Sequence, residues 1–341
     1  MLDGRCGEAA PLGAGEIEAV LTPAFAGVNL VLIAVSGGAD SMALLALAAD
    51  WAARRSGTRL SVATVDHSLR PESAAEAAAV ARTAASLGLP HARLEAPLPR
   101  PGARIEEAAR DARYAALAAH AVAIGAEALA TAHTLDDQAE TVLMRLAAGS
   151  GPAGLAAMRL KSLRGRLVHL RPLLGVPKAR LVATLRARGW GWSEDAMNAD
   201  PAFCRARLRA GRAVLEDEGL TAERLGVFAR RAARAEDALL AAERQAAEAH
   251  LSLAPGRAAI APEAAALPAE IRLRLLGRAV AALGKTRVRL DRLERLFERT
   301  LATASGAATL AGARVAWSAD GPIVVTAAPP RRDVAPQAKR R

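Results

Sequence analysis

Cysteine is nearly absent: the 341 residues contain two, Cys6 and Cys204, far apart and in no C-x-x-C pair. That excludes a disulfide framework, a zinc ribbon and a cysteine-ligated iron–sulfur cluster, and it fits a reducing compartment. Aromatic residues are equally scarce at 3%, so a core must be built from aliphatic side chains and alanine. No uncharged apolar run reaches the roughly 18 residues of a membrane span. The longest candidate, 28–49, is interrupted by Ser36-Gly37-Gly38-Ala39-Asp40. The first thirty residues carry Asp3, Glu8, Glu16 and Glu18 and no apolar leader segment, which predicts a soluble, cytoplasmic protein. Global disorder is excluded as well, because hydrophobic residues make up 52% of the chain.

What is present is unevenly placed. Net charge is +11, yet residues 1–200 hold 21 basic and 20 acidic side chains against 25 and 15 in residues 201–341. Inside the balanced half, the stretch between Glu140 and Glu194 has ten Arg or Lys and no acid. Such asymmetry suggests a polyanionic partner, although solvated helix faces explain basic charge equally well.

Residues 29–35, 60–66 and 128–133 are β-branched and aliphatic runs, with a weaker one at 91–96, the pattern of strands buried on both faces. Helical stretches lie between and after them, at 41–55, 73–87, 103–125 and 135–147. Their alternation predicts βαβ units, a parallel sheet and an α/β fold. Residues 149–154 read as a loop, and 167–174 with 178–188 as a last βα pair. Beyond 213 the pattern becomes helical at 222–251, 268–283 and 288–304, followed by a hairpin of 308–316 and 322–327 around Asp320-Gly321. The expected layout is a flexible 1–20, an α/β domain over 21–213, a helical domain with a terminal hairpin over 214–328 and a disordered basic tail over 329–341.

Ser36-Gly37-Gly38-Ala39-Asp40-Ser41 follows a strand and opens a helix. Such a loop aims backbone N–H groups at one spot beside the positive end of the helix dipole, which makes it an anion cradle. Ser36 and Ser41 can add hydroxyl donors, and Asp40 can hold a magnesium ion. It lacks the lysine of a Walker A loop. It resembles the S-G-G-x-D-S motif of the N-type ATP pyrophosphatases, the PP-loop superfamily. That resemblance implies an adenine nucleotide alpha hydrolase-like domain in which an oxygen nucleophile attacks the α-phosphate of ATP and pyrophosphate leaves.

Four further strings stand with the loop: Asp66-His67-Ser68-Leu69-Arg70-Pro71-Glu72-Ser73, Glu107 to Tyr114, His133-Thr134-Leu135-Asp136-Asp137-Gln138-Ala139-Glu140-Thr141, and Gly149-Ser150-Gly151 to Leu155. Taken singly, His67 reads as a turn histidine and Glu106 with Arg110 as ordinary helix-surface pairing. Asp137 and Glu140, spaced i, i+3, share a helix face near its N-terminus, where acids are favoured anyway. Together they resemble the tRNA(Ile)-lysidine synthase family over about residues 30–210, as does the segment from Trp192 through Asn198 to Arg209. The chain departs from the family at Thr134 (usually histidine), Met197 (serine), Ala206 (asparagine) and Val325-Thr-Ala-Ala (Arg-Glu).

The resemblance implies an ATP-dependent ligase acting on the wobble cytidine of an isoleucine tRNA with a CAU anticodon. Adenylation at carbon 2 oxygen would be followed by attack of free L-lysine, giving lysidine, releasing AMP and shifting reading from AUG to AUA. Ser36, Gly37, Gly38, Ala39, Asp40, Ser41 and His67 would bind ATP. Asp40 with Asp137 would hold Mg2+. Asp137 and Glu140, aided by Arg113 and His133, would hold the lysine. Arg205, Arg207 and Arg209 would meet tRNA. Either a carboxylate or an imidazole would take the amine's proton. A homodimer is left open. The competing readings are a tRNA cytidine thiolase, which two isolated cysteines argue against, and a non-catalytic nucleotide-dependent RNA-binding protein.

Overall fold

The computed structural model describes residues 9–55, 57–66, 72–96, 105–193 and 204–329. In chain order they form α1 (Ala14–Phe25), β1 (Leu30–Ala34), α2 (Ala39–Ala53), β2 (Arg59–Asp66), α3 (Glu72–Ser86), β3 (His91–Glu95), α4 (Ile105–Ala123), β4 (Ala128–Ala130), α5 (Leu135–Ala147) and α6 (Pro152–Leu155). Then follow β5 (Lys161–Arg164), β6 (Leu167–Leu170), α7 (Lys178–Ala187), α8 (Cys204–Ala210), α9 (Arg212–Asp217) and α10 (Ala222–His250). The last elements are β7 (Leu251–Ala254), β8 (Arg257–Ile260), α11 (Ala269–Leu283), α12 (Leu290–Ala302), β9 (Ser305–Leu310), β10 (Ala313–Ser318) and β11 (Ile323–Ala327). The chain divides into two units, the first running to Arg231 and the second from Ala232, with Ser150–Ala153 belonging to the second.

In the N-terminal unit, β1 is apolar at every position because both of its faces are covered. Val31 and Ile33 pack with α1, α2 and α7, while Leu32 joins Leu117 and Ala121 of α4 on the opposite side. The strand order is β3-β2-β1-β4-β6-β5, and every neighbouring pair is parallel except β5 with β6. The chain steps outward from β1 to β2 and β3, then returns to place β4 on the other side of β1. The loops leaving β1 and β4 therefore diverge and open a crevice at the carboxyl ends of the strands, where ligands of open α/β sheets bind.

Several expectations need correction. The segment expected to be flexible up to residue 20 is helical from Ala14, because Ile17, Leu21 and Phe25 form a stripe at four-residue spacing that is buried in the sheet's core. Strand 128–133 ends at Ala130, the last residue paired with both β1 and β6. The loop 149–154 contains the start of α6. An unexpected strand, β5, pairs antiparallel at the sheet edge; its Lys161-Ser-Leu-Arg164 is mostly exposed and shows no apolar run.

The C-terminal unit is mainly helical, through the end of α10, α11 and α12, and its expected hairpin, β10 with β11, is part of a larger sheet. It holds a five-stranded antiparallel sheet, β7-β8-β11-β10-β9, whose apolar face joins α11 and α12 through Leu275, Val280, Leu296, Val315 and Val325. The run 308–316 is two strands with a turn at Ala311 and Gly312, both at positive φ (53° and 88°). Alanine there hides the turn signal. The boundary expected at 213/214 lies inside α10 instead, because Ala222, Leu225 and Ala229 bury against Leu135, Ala139 and Val142 of α5. His67 and Met197 lie outside the described residues, as does the tail beyond Pro329.

Candidate active site

The loop after β1 is shaped by Gly37, whose φ of 89° is left-handed and open to glycine at no steric cost. Its carbonyl accepts the Ser193 N–H at 2.9 Å. Ser41 braces the turn from inside: its hydroxyl donates to the Gly38 carbonyl at 2.9 Å and accepts the Ser36 N–H at 3.1 Å. The Ser36 hydroxyl, 3.2 Å from that of Ser41, is exposed. Gly38 takes the extended N-cap position of α2 without a side-chain cap. The first N–H groups of α2 are thus left for an external acceptor, as an anion site requires.

Asp40, in the first turn of α2, sends Oδ2 to Lys178 Nζ at 3.2 Å, whereas its buried Oδ1 has no hydrogen-bond partner. Burial pushes its carboxyl up, opposed by Lys178 and reinforced by the charges of Asp137 and Asp136. A buried carboxylate oxygen lacking a donor is suited to a cation. Among the described residues no three His, Cys, Asp or Glu side chains cluster as a metal cage. Magnesium commonly uses one or two carboxylates and completes its shell with water and substrate phosphate, so Asp40 fits that ion.

Helix α5 begins with a reciprocal cap. Thr134 Oγ1 accepts the Asp137 N–H at 3.3 Å, and Asp137 Oδ2 accepts the Thr134 N–H at 2.9 Å. The residue that departs from the family's usual histidine therefore has a structural task. Asp136 accepts the Lys178 backbone N–H at 2.8 Å and is paired with Arg212. Glu140, only 8% exposed, is gripped by the Arg209 fork at 2.6 and 3.2 Å, and Arg209 also lies 3.7 Å from Asp137. Burial raises the Glu140 carboxyl, which Arg209 counteracts. Arg205 approaches the same carboxylate at 4.0 Å, while Arg207 lies on the exposed side of α8. The three arginines thus do not form one row.

His133 leaves the end of β4 half-buried. Burial first, then Arg171, Arg110, Arg205 and Arg113, push it down to about 3. The structure thus draws Asp40, Asp137, Glu140, His133, Arg205 and Arg209 to the mouth of the β1–β4 crevice, with Arg113 near enough to act on His133. Sequence reasoning missed Lys178, which links Asp40 to Asp136, and Arg171 behind His133. The signal that contained both was the acid-free basic stretch after Glu140.

A PP-loop domain family model matches residues 14–215. A tRNA(Ile)-lysidine synthase of a Bradyrhizobium species is 48% identical, over 97% of this chain and 99% of its own length. One from a Methylobacterium species is 50% identical, over 89% and 90%. The chain belongs to the tRNA(Ile)-lysidine synthase family. A solved structure of the U34-tRNA thiolase NcsA from Methanococcus maripaludis, with its [4Fe-4S] cluster, superposes with a TM-score of 0.54 at 15% identity, covering 64% of this chain and 77% of that one. That likeness shows the PP-loop fold alone. Family membership brings ATP use, and no helix among the described residues is long and apolar enough to cross a membrane.

Proposed function

We propose that this chain ligates free L-lysine to carbon 2 of the wobble cytidine of an isoleucine tRNA with a CAU anticodon, consuming ATP. The observation that carries the reading is the Arg209 guanidinium seated on Glu140 and beside Asp137. A pair of carboxylates already accepting a cation at the carboxyl ends of β1 and β4 is a subsite for a charged amino acid beside a nucleotide cradle. Lysine would replace Arg209 there, and Arg209 would be free to meet tRNA phosphate.

The loop 36–41 would hold the phosphates through its N–H groups and the α2 dipole, stabilising the charge that builds as pyrophosphate departs. Asp40, with Asp137, would hold Mg2+, which when bound neutralises phosphate charge. Positioning two reactants against one another supplies the rest, with no protein nucleophile. The attacking amine must be neutral, and Glu140, raised by burial, is the carboxylate best suited to receive its proton.

The test is mass spectrometry of nucleosides after incubating tRNA with the protein, ATP and lysine. Lysidine formed only when all three substrates are present is expected. A thiolated cytidine would favour the thiolase reading, and intact ATP the binding-protein reading. Asp40→Asn is expected to reduce tRNA-dependent pyrophosphate release to background with an unchanged circular dichroism spectrum. Wild-type rates would remove Asp40 from the metal site.

A further inference from the structure

A chain of hydrogen bonds runs from the sheet edge into this site. Arg171, following β6, donates Nη1 to the Arg159 carbonyl at 3.0 Å and to the Ser162 hydroxyl at 2.9 Å. Its Nη2 lies 2.9 Å from His169 Nδ1. His169 Nε2 is 2.8 Å from Thr131 Oγ1, and Thr131 Oγ1 is 2.8 Å from His133 Nδ1.

Donor and acceptor roles follow link by link. A guanidinium only donates and keeps its charge, so His169 Nδ1 accepts, the ring is neutral and its proton is on Nε2. That N–H donates to Thr131. Thr131 is buried, and among the described residues its hydroxyl has no acceptor other than His133 Nδ1. A buried O–H without an acceptor is disfavoured, so the hydroxyl donates to His133. The His133 ring therefore accepts at Nδ1 and carries its proton on Nε2.

We propose that Arg171, His169 and Thr131 are positioning residues that hold His133 neutral, with Nε2–H as a fixed donor to an anionic oxygen of the bound substrates. His133 then is no base for the attacking amine. The proposal rests on the reading of the site given above. The surroundings agree with it: the groups that shift His133 are Arg110 and Arg113 of α4, Arg171 after β6 and Arg205 of α8, all cationic. His169 is likewise pushed down to about 3, by burial, Arg171, His133, Arg164 and Arg110, and its ring meets Tyr114 edge-on. Four guanidinium groups around a donor imidazole favour a phosphate or another anionic oxygen and disfavour an imidazolium.

Long-range 1H–15N correlation spectra of the full-length protein, labelled at histidine, read the tautomer directly. His133 and His169, assigned by loss of signal in His133→Gln and His169→Gln, are expected to show the Nε2–H pattern and no protonation at pH 5. A His133 that carries its proton on Nδ1, or titrates near the ordinary histidine value, overturns the proposal. This measurement needs no substrate, so it stands or falls apart from lysidine formation.

Thr131→Val removes the relay hydroxyl, and Thr131→Ser restores it. The valine variant is expected to lose the single tautomer and to slow tRNA-dependent pyrophosphate release by about 10–100-fold, as when a supporting hydrogen bond is lost. Its lysine KM should be unchanged, and the serine variant should recover both signals. Normal pyrophosphate release with slowed lysine transfer would make His133 the amine's base and overturn the proposal.

Discussion

Glu140 in the N-terminal unit and Glu236 in the C-terminal unit are both buried glutamates held by an arginine fork, yet their surroundings differ. Arg274 grips Glu236 at 2.8 and 2.8 Å, takes Glu270 at 2.7 Å on its remaining side, and is itself only 14% exposed. Arg209 grips Glu140 asymmetrically, and its side chain is 42% exposed. The first pair is a closed clamp in which every partner is committed. The second has a buried acid facing a cation that can leave for solvent, and burial raises that acid's carboxyl. The same residue types therefore form a closed clamp in one unit and a pair with an exposed cation in the other.

The strongest way to break that contrast is Arg274→Ala, which leaves Glu236 buried without its cation. Urea denaturation is expected to show the C-terminal unit losing about 3–5 kcal/mol. A loss below about 1 kcal/mol, the range of exposed pairs, would put the two pairs in one class.

Glu140→Ala comes next. Arg209 can return to water, so stability should change by less than about 1 kcal/mol. The lysine requirement should rise roughly 10–100-fold, equivalent to about 1.5–3 kcal/mol for a lost charge-assisted hydrogen bond. Steady-state kinetics at varied lysine reads it, and equal losses of adenylation and lysine transfer would give Glu140 a metal or folding role.

Acid titration separates the units more gently. His169 is 1% exposed and held at about 3 against an ordinary 6.5, whereas the C-terminal unit has no buried histidine among its described residues. With the folded value depressed, the unfolded chain binds more protons between these limits, so stability falls as pH drops below about 6.5. Thermal melts between about pH 6.5 and 5 should therefore show the N-terminal unit weakening first, with the raised carboxyls of Asp40 and Glu140 opposing the trend. Parallel shifts of both units would contradict it.

The smallest effect is expected at Arg207, exposed on α8. If it meets a tRNA phosphate, Arg207→Ala should lower the log–log salt slope of tRNA binding by about 0.7–0.9. An unchanged slope assigns it to a solvated face.

The sequence by itself determined the parallel strands, the Ser36–Ser41 loop and the bounds of α5, because each is local: a doubly buried strand is apolar throughout, and caps and loops are written in neighbouring residues. It also carried the family resemblance, since the motifs keep their order. Only the tertiary structure decided what those residues touch. Glu140 and Arg209 are 69 positions apart, and Lys178 reaches Asp40 across 138. β5, and the strands that extend the β10–β11 hairpin into a five-stranded sheet, stayed hidden because short, half-exposed strands gain their hydrogen bonds and burial from distant partners, which no local pattern records. The protonation of His133 was undetermined for the same reason: it is imposed through Thr131, His169 and Arg171, three side chains that meet only once the sheet has formed.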